Sequence, residues 1–126
     1  MQENEDKHIL IVEDSPDQRF LLKMLLEAKG YTTECTANGK EALNLLRLSK
    51  KKPSTILLDM NMETMGGYEF RQLQCADPLL KDIPVIVFSG EDDVTSISIQ
   101  MKSEVLRKPL QVSCLLDALK RTSRLH

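Results

Sequence analysis

Five short apolar segments alternate with five helical patterns along this chain, and this alternation constrains the fold most strongly. A strand that is apolar on both faces, such as the one predicted over residues 8–12, suits the centre of a sheet that helices cover on each side. The alternation predicts a doubly wound α/β fold, with one parallel sheet and right-handed crossovers. The predicted strands lie at residues 8–12, 31–36, 55–58, 83–88 and 104–106.

Local signals mark where the predicted helices begin and end. Ser15-Pro16 supplies an N-cap and a first-turn proline, Gly30 follows the first helix, and Asn38-Gly39 opens the second. The fourth pattern, residues 92–100, is the weakest because its β-branched residues and serines have low helix propensity. We therefore expect a short, frayed or irregular fourth helix. The spacing in the first helix predicts an apolar core face made of Phe20, Leu21, Met24, Leu25 and Ala28.

Composition excludes several classes of function. The 126 residues carry 17 Lys and Arg against 19 Asp and Glu, with 4% aromatic residues, which argues against a nucleic-acid-binding surface. No apolar run approaches the length of a membrane span, and the polar residues 1–6, expected to form a flexible tail, contain no secretory signal. A cytoplasmic location is therefore expected. Three scattered cysteines without metal-type spacing predict reduced thiols in core or half-buried positions: Cys35, Cys75 and Cys114.

Polar residues of complementary type follow the predicted strands. Glu13 and Asp14 end the first strand and Asp59 ends the third, while Ser89 and Lys108 end the fourth and fifth. In open parallel sheets the carboxyl ends of the strands form the ligand site, so these side chains should converge. Each residue alone is common at a turn or on a surface, but the joint placement points to a site. Clustered carboxylates favour Mg²⁺, and a lysine and a hydroxyl suit phosphoryl oxygens.

The same segments carry a family resemblance. Val12-Glu13-Asp14, the Leu57–Met62 segment, Val87-Phe88-Ser89 and Lys108-Pro109 resemble the receiver domain of two-component response regulators, over nearly the whole chain. The resemblance implies a flavodoxin-like (βα)₅ fold with strand order 2-1-3-4-5. It also implies a single receiver domain over residues 1–126, either of the stand-alone type or cut from a larger regulator or hybrid kinase.

The resemblance assigns roles in phosphoryl transfer. Asp59 is implied to be the phosphoacceptor, which attacks a phosphohistidine as a nucleophile. Lys108 would pair with Asp59 before transfer and with a phosphoryl oxygen afterwards, and Ser89 would hydrogen-bond the phosphoryl group. The bond between Lys108 and Pro109 is expected to be cis. The domain would thus catalyse its own phosphorylation and dephosphorylation instead of acting on a separate substrate.

The resemblance also implies a metal site. Asp14 and Asp59 would bind Mg²⁺ through their carboxylates, and Glu13 would act mainly through a water molecule. The backbone carbonyl of Asn61 would complete the protein ligands, with Mn²⁺ as a substitute for Mg²⁺.

Two positions bear on how a signal would be read out. Val105 stands where the family generally has an aromatic residue that turns inward, so the readout is expected to run through the loop after Ser89 or through the fourth helix. Asn61 and Glu91 resemble the pairing in fast-hydrolysing, chemotaxis-type receivers, which predicts a short-lived phosphoryl group.

The implied partners are proteins. A sensor histidine kinase or a phosphotransfer protein would dock near residues 16–20 and Leu110, and a downstream protein would receive the signal, with no direct contact to nucleic acid or membrane. The chain is expected to be a monomer or a weak homodimer. Two alternatives remain open: an adaptor that has lost phosphorylation, and a haloacid-dehalogenase-type aspartyl-phosphatase. The second expects an acid two residues after the nucleophile, where this chain has Asn61.

Overall fold

The computed structural model describes residues 7–62, 64–91 and 93–124. The expected tail at residues 1–6 lies outside this range, as does the first residue of the predicted fourth helical pattern. Strands and helices alternate as predicted: β1 (His8–Val12), α1 (Pro16–Ala28), β2 (Thr32–Thr36), α2 (Gly39–Leu48), β3 (Thr55–Asp59), α3 (Gly67–Ala76), β4 (Val85–Ser89), α4 (Val94–Met101), β5 (Glu104–Arg107) and α5 (Val112–Arg124).

All five strands are parallel and lie in the order β2-β1-β3-β4-β5, which confirms the expected flavodoxin-like topology. β1, β3 and β4 form the centre of the sheet, and nearly all of their side chains are buried. β2 is an edge strand with only its last residue buried. Central strands that bury both faces need a helix layer on each side, which explains their continuously apolar sequences.

Two apolar clusters fill the space between the sheet and its two helix layers. One cluster joins α2, α3 and α4 to one face of the sheet, around Phe70 and Leu58. The other joins α1 and α5 to the opposite face, around Leu26 and Leu57. The alternation of side chains along each strand divides it between the clusters: Ile9 and Ile11 face α1 and α5, whereas Leu10 and Val12 face the other layer.

The expected core face of α1 was wrong. Leu22 and Leu26 are the buried residues of this helix, whereas Phe20, Leu21 and Met24 are 62%, 49% and 53% exposed. The helix carries two neighbouring apolar stripes, and the spacing of apolar residues fits either one. The sheet covers only the stripe that contains Leu22 and Leu26, so the second stripe is left on the surface.

The fourth helix is short, as predicted, but it is a regular α-helix. It spans eight residues, and the Asp93 side chain accepts a hydrogen bond from the Ser96 N–H at 3.1 Å. At its other end Lys102 adopts φ 52°, and the Ser98 hydroxyl donates to the Ser103 carbonyl at 2.7 Å. These contacts at both ends offset the low helix propensity of the segment.

The predicted burial of the cysteines was also wrong, because Cys35, Cys75 and Cys114 are all exposed. Cys35 lies on the edge strand β2, and the other two lie on the outer faces of α3 and α5. Their free thiols agree with the expectation of reduced cysteines. Among the described residues, no helix combines the length and the apolarity that crossing a bilayer requires.

Candidate functional site

The carboxyl edge of the sheet brings three acidic side chains together. Glu13 follows β1 and Asp59 ends β3, the neighbouring strand, so their side chains meet beside Asp14. Carboxylate oxygens of these three residues lie within 4.8 Å of one another. Glu13 and Asp59 are buried, at 3% and 2% exposure, and Asp14 is more exposed than either. The sequence predicted this convergence.

Burial sets the protonation of the acidic group. Loss of hydration raises the pKa of Glu13 to about 7. A hydrogen bond from the Ser15 N–H, 3.0 Å from Glu13 Oε2, opposes that rise, and the negative charge of Asp59 adds to it. The raised pKa of Glu13 therefore reflects mainly its burial, with the neighbouring Asp59 carboxylate as a smaller cause.

The ammonium group of Lys108 is the positively charged side-chain group that pairs with Asp59. Its Nζ lies 2.9 Å from Asp59 Oδ1, and about a third of the lysine side chain is exposed. The Lys108 N–H donates to the Ser89 carbonyl at 2.8 Å, and Nζ sits 5.6 Å from the centre of the Phe88 ring. The peptide bond between Lys108 and Pro109 is cis, as expected. The lysine is therefore anchored at its backbone and directed at Asp59.

Asp59 also accepts a second hydrogen bond on the same oxygen, from the Asn61 N–H at 3.1 Å. This contact folds the start of the β3–α3 loop back over the carboxylate. Asn61 itself is exposed and lines the same cleft as the acids. A haloacid-dehalogenase-type phosphatase needs a general acid at this position. The amide side chain of Asn61 has no acidic proton and cannot act as one.

The other predicted residues lie on β4, on β5 and directly after β5. Ser89 is fully buried at the end of β4, and its Oγ accepts a hydrogen bond from the Glu91 N–H at 3.0 Å. Val105 pairs with Val87 and lines a separate groove beside α4. Pro109 contributes to the wall of the acidic cleft.

The acidic cleft has a volume of about 600 Å³ and an apolar flank. Leu21, Leu25 and Leu110 form this flank beside the acids. The exposed stripe of α1 continues from the cleft onto the outer surface of the helix.

Sequence reasoning missed Arg19. Its Nη1 donates to the carbonyls of Glu13 and Asp14, at 2.8 and 3.2 Å. The only sequence signal for this contact is the position of Arg19, four residues after the N-cap Ser15, which places it over the first turn of α1.

Comparison with known proteins decides the family. The sequence model of one protein family, the response regulator receiver domain, matches residues 9–120 of this chain. The chain belongs to this family. The receiver domain is 33% identical, over 117 residues, to the polar-differentiation response regulator DivK of Brucella anthropi, covering 90% of this chain and 94% of that protein.

Solved structures give the same result. This receiver domain superimposes with a TM-score of 0.84 on the signal receiver domain of a histidine kinase from Syntrophus aciditrophicus, at 36% identity, covering 94% of this chain and 90% of that one. The chemotaxis protein CheY4 of Vibrio cholerae matches with a TM-score of 0.81 at 27% identity, covering 91% of this chain and 97% of that one. Receiver folds thus occur both in response regulators and in histidine kinases among these relatives.

Proposed function

We propose that this receiver domain accepts a phosphoryl group on Asp59 from a phosphohistidine of a histidine kinase or phosphotransfer protein, in a Mg²⁺-dependent reaction. The phosphorylated form then changes its binding to a downstream protein. The observation that carries the proposal is the buried carboxylate of Asp59, which lies 2.9 Å from the Lys108 ammonium and within 4.8 Å of two further carboxylates. This arrangement pairs a nucleophile with the charges that phosphoryl transfer requires.

The donor set fits Mg²⁺. Asp14 and Asp59 would hold the ion directly and Glu13 through a water molecule, with the Asn61 carbonyl as the third direct protein ligand. Hard oxygen donors of this kind match the preference of Mg²⁺, and Mn²⁺ accepts the same set. When bound, the ion supplies neutralisation of the negative charge on the incoming phosphoryl group.

The protein's own residues would perform the transfer as follows. An oxygen of Asp59 forms the new O–P bond while the N–P bond of the phosphohistidine breaks, and the electron pair remains on the histidine nitrogen. Lys108 moves from Asp59 to a phosphoryl oxygen. The Ser89 hydroxyl keeps its contact from the Glu91 N–H as an acceptor and uses its proton to bond the phosphoryl group.

The exposed stripe of α1 supports the proposed docking of the donor protein. Phe20, Leu21 and Met24 expose apolar surface on α1. Leu21 also lines the cleft, where Leu110 extends the apolar flank. Clustered apolar residues on a surface mark a contact site more often than single ones do. A donor protein seated here would hold its phosphohistidine over Asp59.

The remaining proposals concern the state of the protein in the cell. The receiver domain acts in the cytoplasm, as a monomer or weak homodimer. Asn61 and Glu91 favour a short phosphoryl lifetime, and Val105 directs the readout to the segment after Ser89 and to α4.

Incubation with acetyl phosphate or phosphoramidate tests the proposal. Intact-protein mass spectrometry should show one phosphoryl group added in the presence of Mg²⁺ and none after chelation with EDTA. Asp59→Asn should abolish the addition. Asp82→Asn, an exposed acid at the opposite edge of the sheet, should leave it unchanged. A folded wild-type protein that takes up no phosphoryl group from either donor would instead be an adaptor without phosphorylation.

A further inference from the structure

We propose that Arg19 is a positioning residue of the acidic site: its guanidinium fixes the two backbone carbonyls from which the Glu13 and Asp14 side chains are directed into the cleft. This inference rests on the proposed function, because it assigns Arg19 a part in forming the Mg²⁺ site. The Arg19 hydrogen bonds described below go to backbone carbonyls, and not to the reacting atoms or to a carboxylate oxygen that would bind the metal. The Arg19 Nη1 atom reaches the Glu13 carbonyl at 2.8 Å and the Asp14 carbonyl at 3.2 Å.

The loop between β1 and α1 is held at several points, and Arg19 closes this network. The Glu13 N–H donates to the Thr36 carbonyl at 3.1 Å, which ties the loop to β2. The Ser15 N–H donates to Glu13 Oε2, and the Arg19 N–H donates to the Ser15 carbonyl at 2.9 Å. The guanidinium adds the bonds to the carbonyls of Glu13 and Asp14, so consecutive peptide groups are fixed in rotation.

Holding the β1–α1 loop in place counteracts electrostatic repulsion between the acids. Carboxylates within 4.8 Å of one another repel, and a free loop would turn to separate them. Arg19 opposes this rotation, because its rigid, planar guanidinium donates to the carbonyls of both Glu13 and Asp14. A cation then meets ligands that are already assembled, and little binding free energy is spent on ordering them.

Lys23 provides a matched control on the same helix. It lies one turn beyond Arg19, and its Nζ donates to Glu27 Oε2 at 2.8 Å and to Thr33 Oγ1 at 3.2 Å. Lys23 therefore also joins α1 to the β2 side of the molecule, but within the described residues its hydrogen bonds do not reach the β1–α1 loop. Removing its ammonium tests a general loosening of α1 without disturbing the two carbonyls.

The test compares Arg19→Met, Arg19→Lys and Lys23→Met with the wild type. Mg²⁺ affinity is measured by isothermal titration calorimetry, and the rate of phosphorylation by acetyl phosphate is measured across Mg²⁺ concentrations. The small donor keeps protein docking out of the measurement, which matters because Arg19 lies in the proposed docking region. Arg19→Met should weaken Mg²⁺ binding by about tenfold or more, the scale seen when a group supporting a metal ligand is removed.

The expected pattern has two further parts. At saturating Mg²⁺ the Arg19→Met rate should return to within about threefold of wild type, because the loop is then held by the ion itself. Arg19→Lys should recover part of the affinity, since an ammonium can reach one carbonyl, and Lys23→Met should stay within about twofold of wild type. Equal Mg²⁺ affinity in Arg19→Met and wild type, or equal losses in Arg19→Met and Lys23→Met, would overturn the inference.

Amide hydrogen exchange separates failure of this inference from failure of the proposed function. In the absence of any metal, the Ser15 amide should exchange about tenfold faster in Arg19→Met than in wild type. In Lys23→Met its exchange rate should equal that of the wild type. Unchanged Ser15 exchange in Arg19→Met overturns the positioning role even if phosphorylation proceeds normally. A wild type that binds no Mg²⁺ overturns the proposed function, while the exchange result still decides whether Arg19 holds the loop.

Discussion

The two sides of the cleft are built differently. On the acidic side, formed by the β1–α1 loop, the backbone N–H and carbonyl of Glu13 and one of its side-chain oxygens each have a hydrogen-bond partner within 3.1 Å. On the switch side, formed by residues 89–91 and 93–105, the helix has only eight residues and β5 is half-buried. The acids are thus held by hydrogen bonds within one loop, whereas the switch side depends on a short helix that Arg71 joins to α3 through the Met101 and Lys102 carbonyls. A structural response to phosphorylation should be confined to the switch side.

Amide hydrogen exchange gives the largest expected difference between the two sides. Amides in the middle of α4 should exchange on the order of 100-fold faster than those in the middle of α1, because α4 has eight residues, rich in β-branched and serine side chains, whereas α1 has 13. The measurement is mass-spectrometric or NMR exchange in the absence of phosphoryl donors. Equal protection in the two helices would remove the distinction between the sides.

A pH titration probes the acidic side with a smaller effect. The pKa of Glu13 is about 7 in the folded protein against 4.5 as its ordinary value, so the folded state holds more protons between these values. The contribution of Glu13 to the free energy of unfolding is therefore fully present below pH 4.5, and it is lost as the pH rises through 7. In metal-free buffer the loss should be on the order of 1–3 kcal/mol.

The variant Glu13→Gln isolates this contribution. Urea unfolding of wild type and variant at pH 5 and pH 7.5 should show the wild type losing stability relative to the variant as pH rises. A parallel pH dependence in the two proteins would mean that Glu13 is not the group responsible.

Removal of the helix caps gives the smallest effect and sharpens the comparison. Ser15→Ala and Asp93→Ala each remove a side chain that accepts a helix N–H, a loss of about 1 kcal/mol. On the acidic side the loss should appear in global unfolding, because α1 is part of the core. On the switch side it should appear as faster local exchange in α4, with global stability changed by less than about 0.5 kcal/mol. A full global loss in Asp93→Ala would show that α4 unfolds only with the rest of the molecule.

Much of the fold and site was predictable because it depends on strand ends. The alternation of segments predicts the parallel sheet, and the rule for parallel sheets then places Glu13, Asp59 and Lys108 at one edge. The order of the strands came from the family resemblance, since alternation alone does not specify which strands are neighbours.

The errors arose where the sequence pattern was ambiguous. Two apolar stripes on α1 offered equal periodicity, and only the packing of Leu22 and Leu26 on the sheet decides between them. The low helix propensity of α4 predicted an irregular helix. Propensity does not include the stabilisation that the Asp93 side chain gives by accepting a hydrogen bond from the Ser96 N–H. Arg19 was missed because its contacts are to backbone carbonyls, which no side-chain motif records.

The three exposed thiols have a practical consequence for handling the protein. Cys35, Cys75 and Cys114 lie on different elements of the outer surface and are all free to meet a thiol of another copy. Air oxidation during storage would join copies covalently through any of them and imitate self-association. Sedimentation or light-scattering measurements of oligomeric state therefore require a reductant, or a variant with serine at these positions.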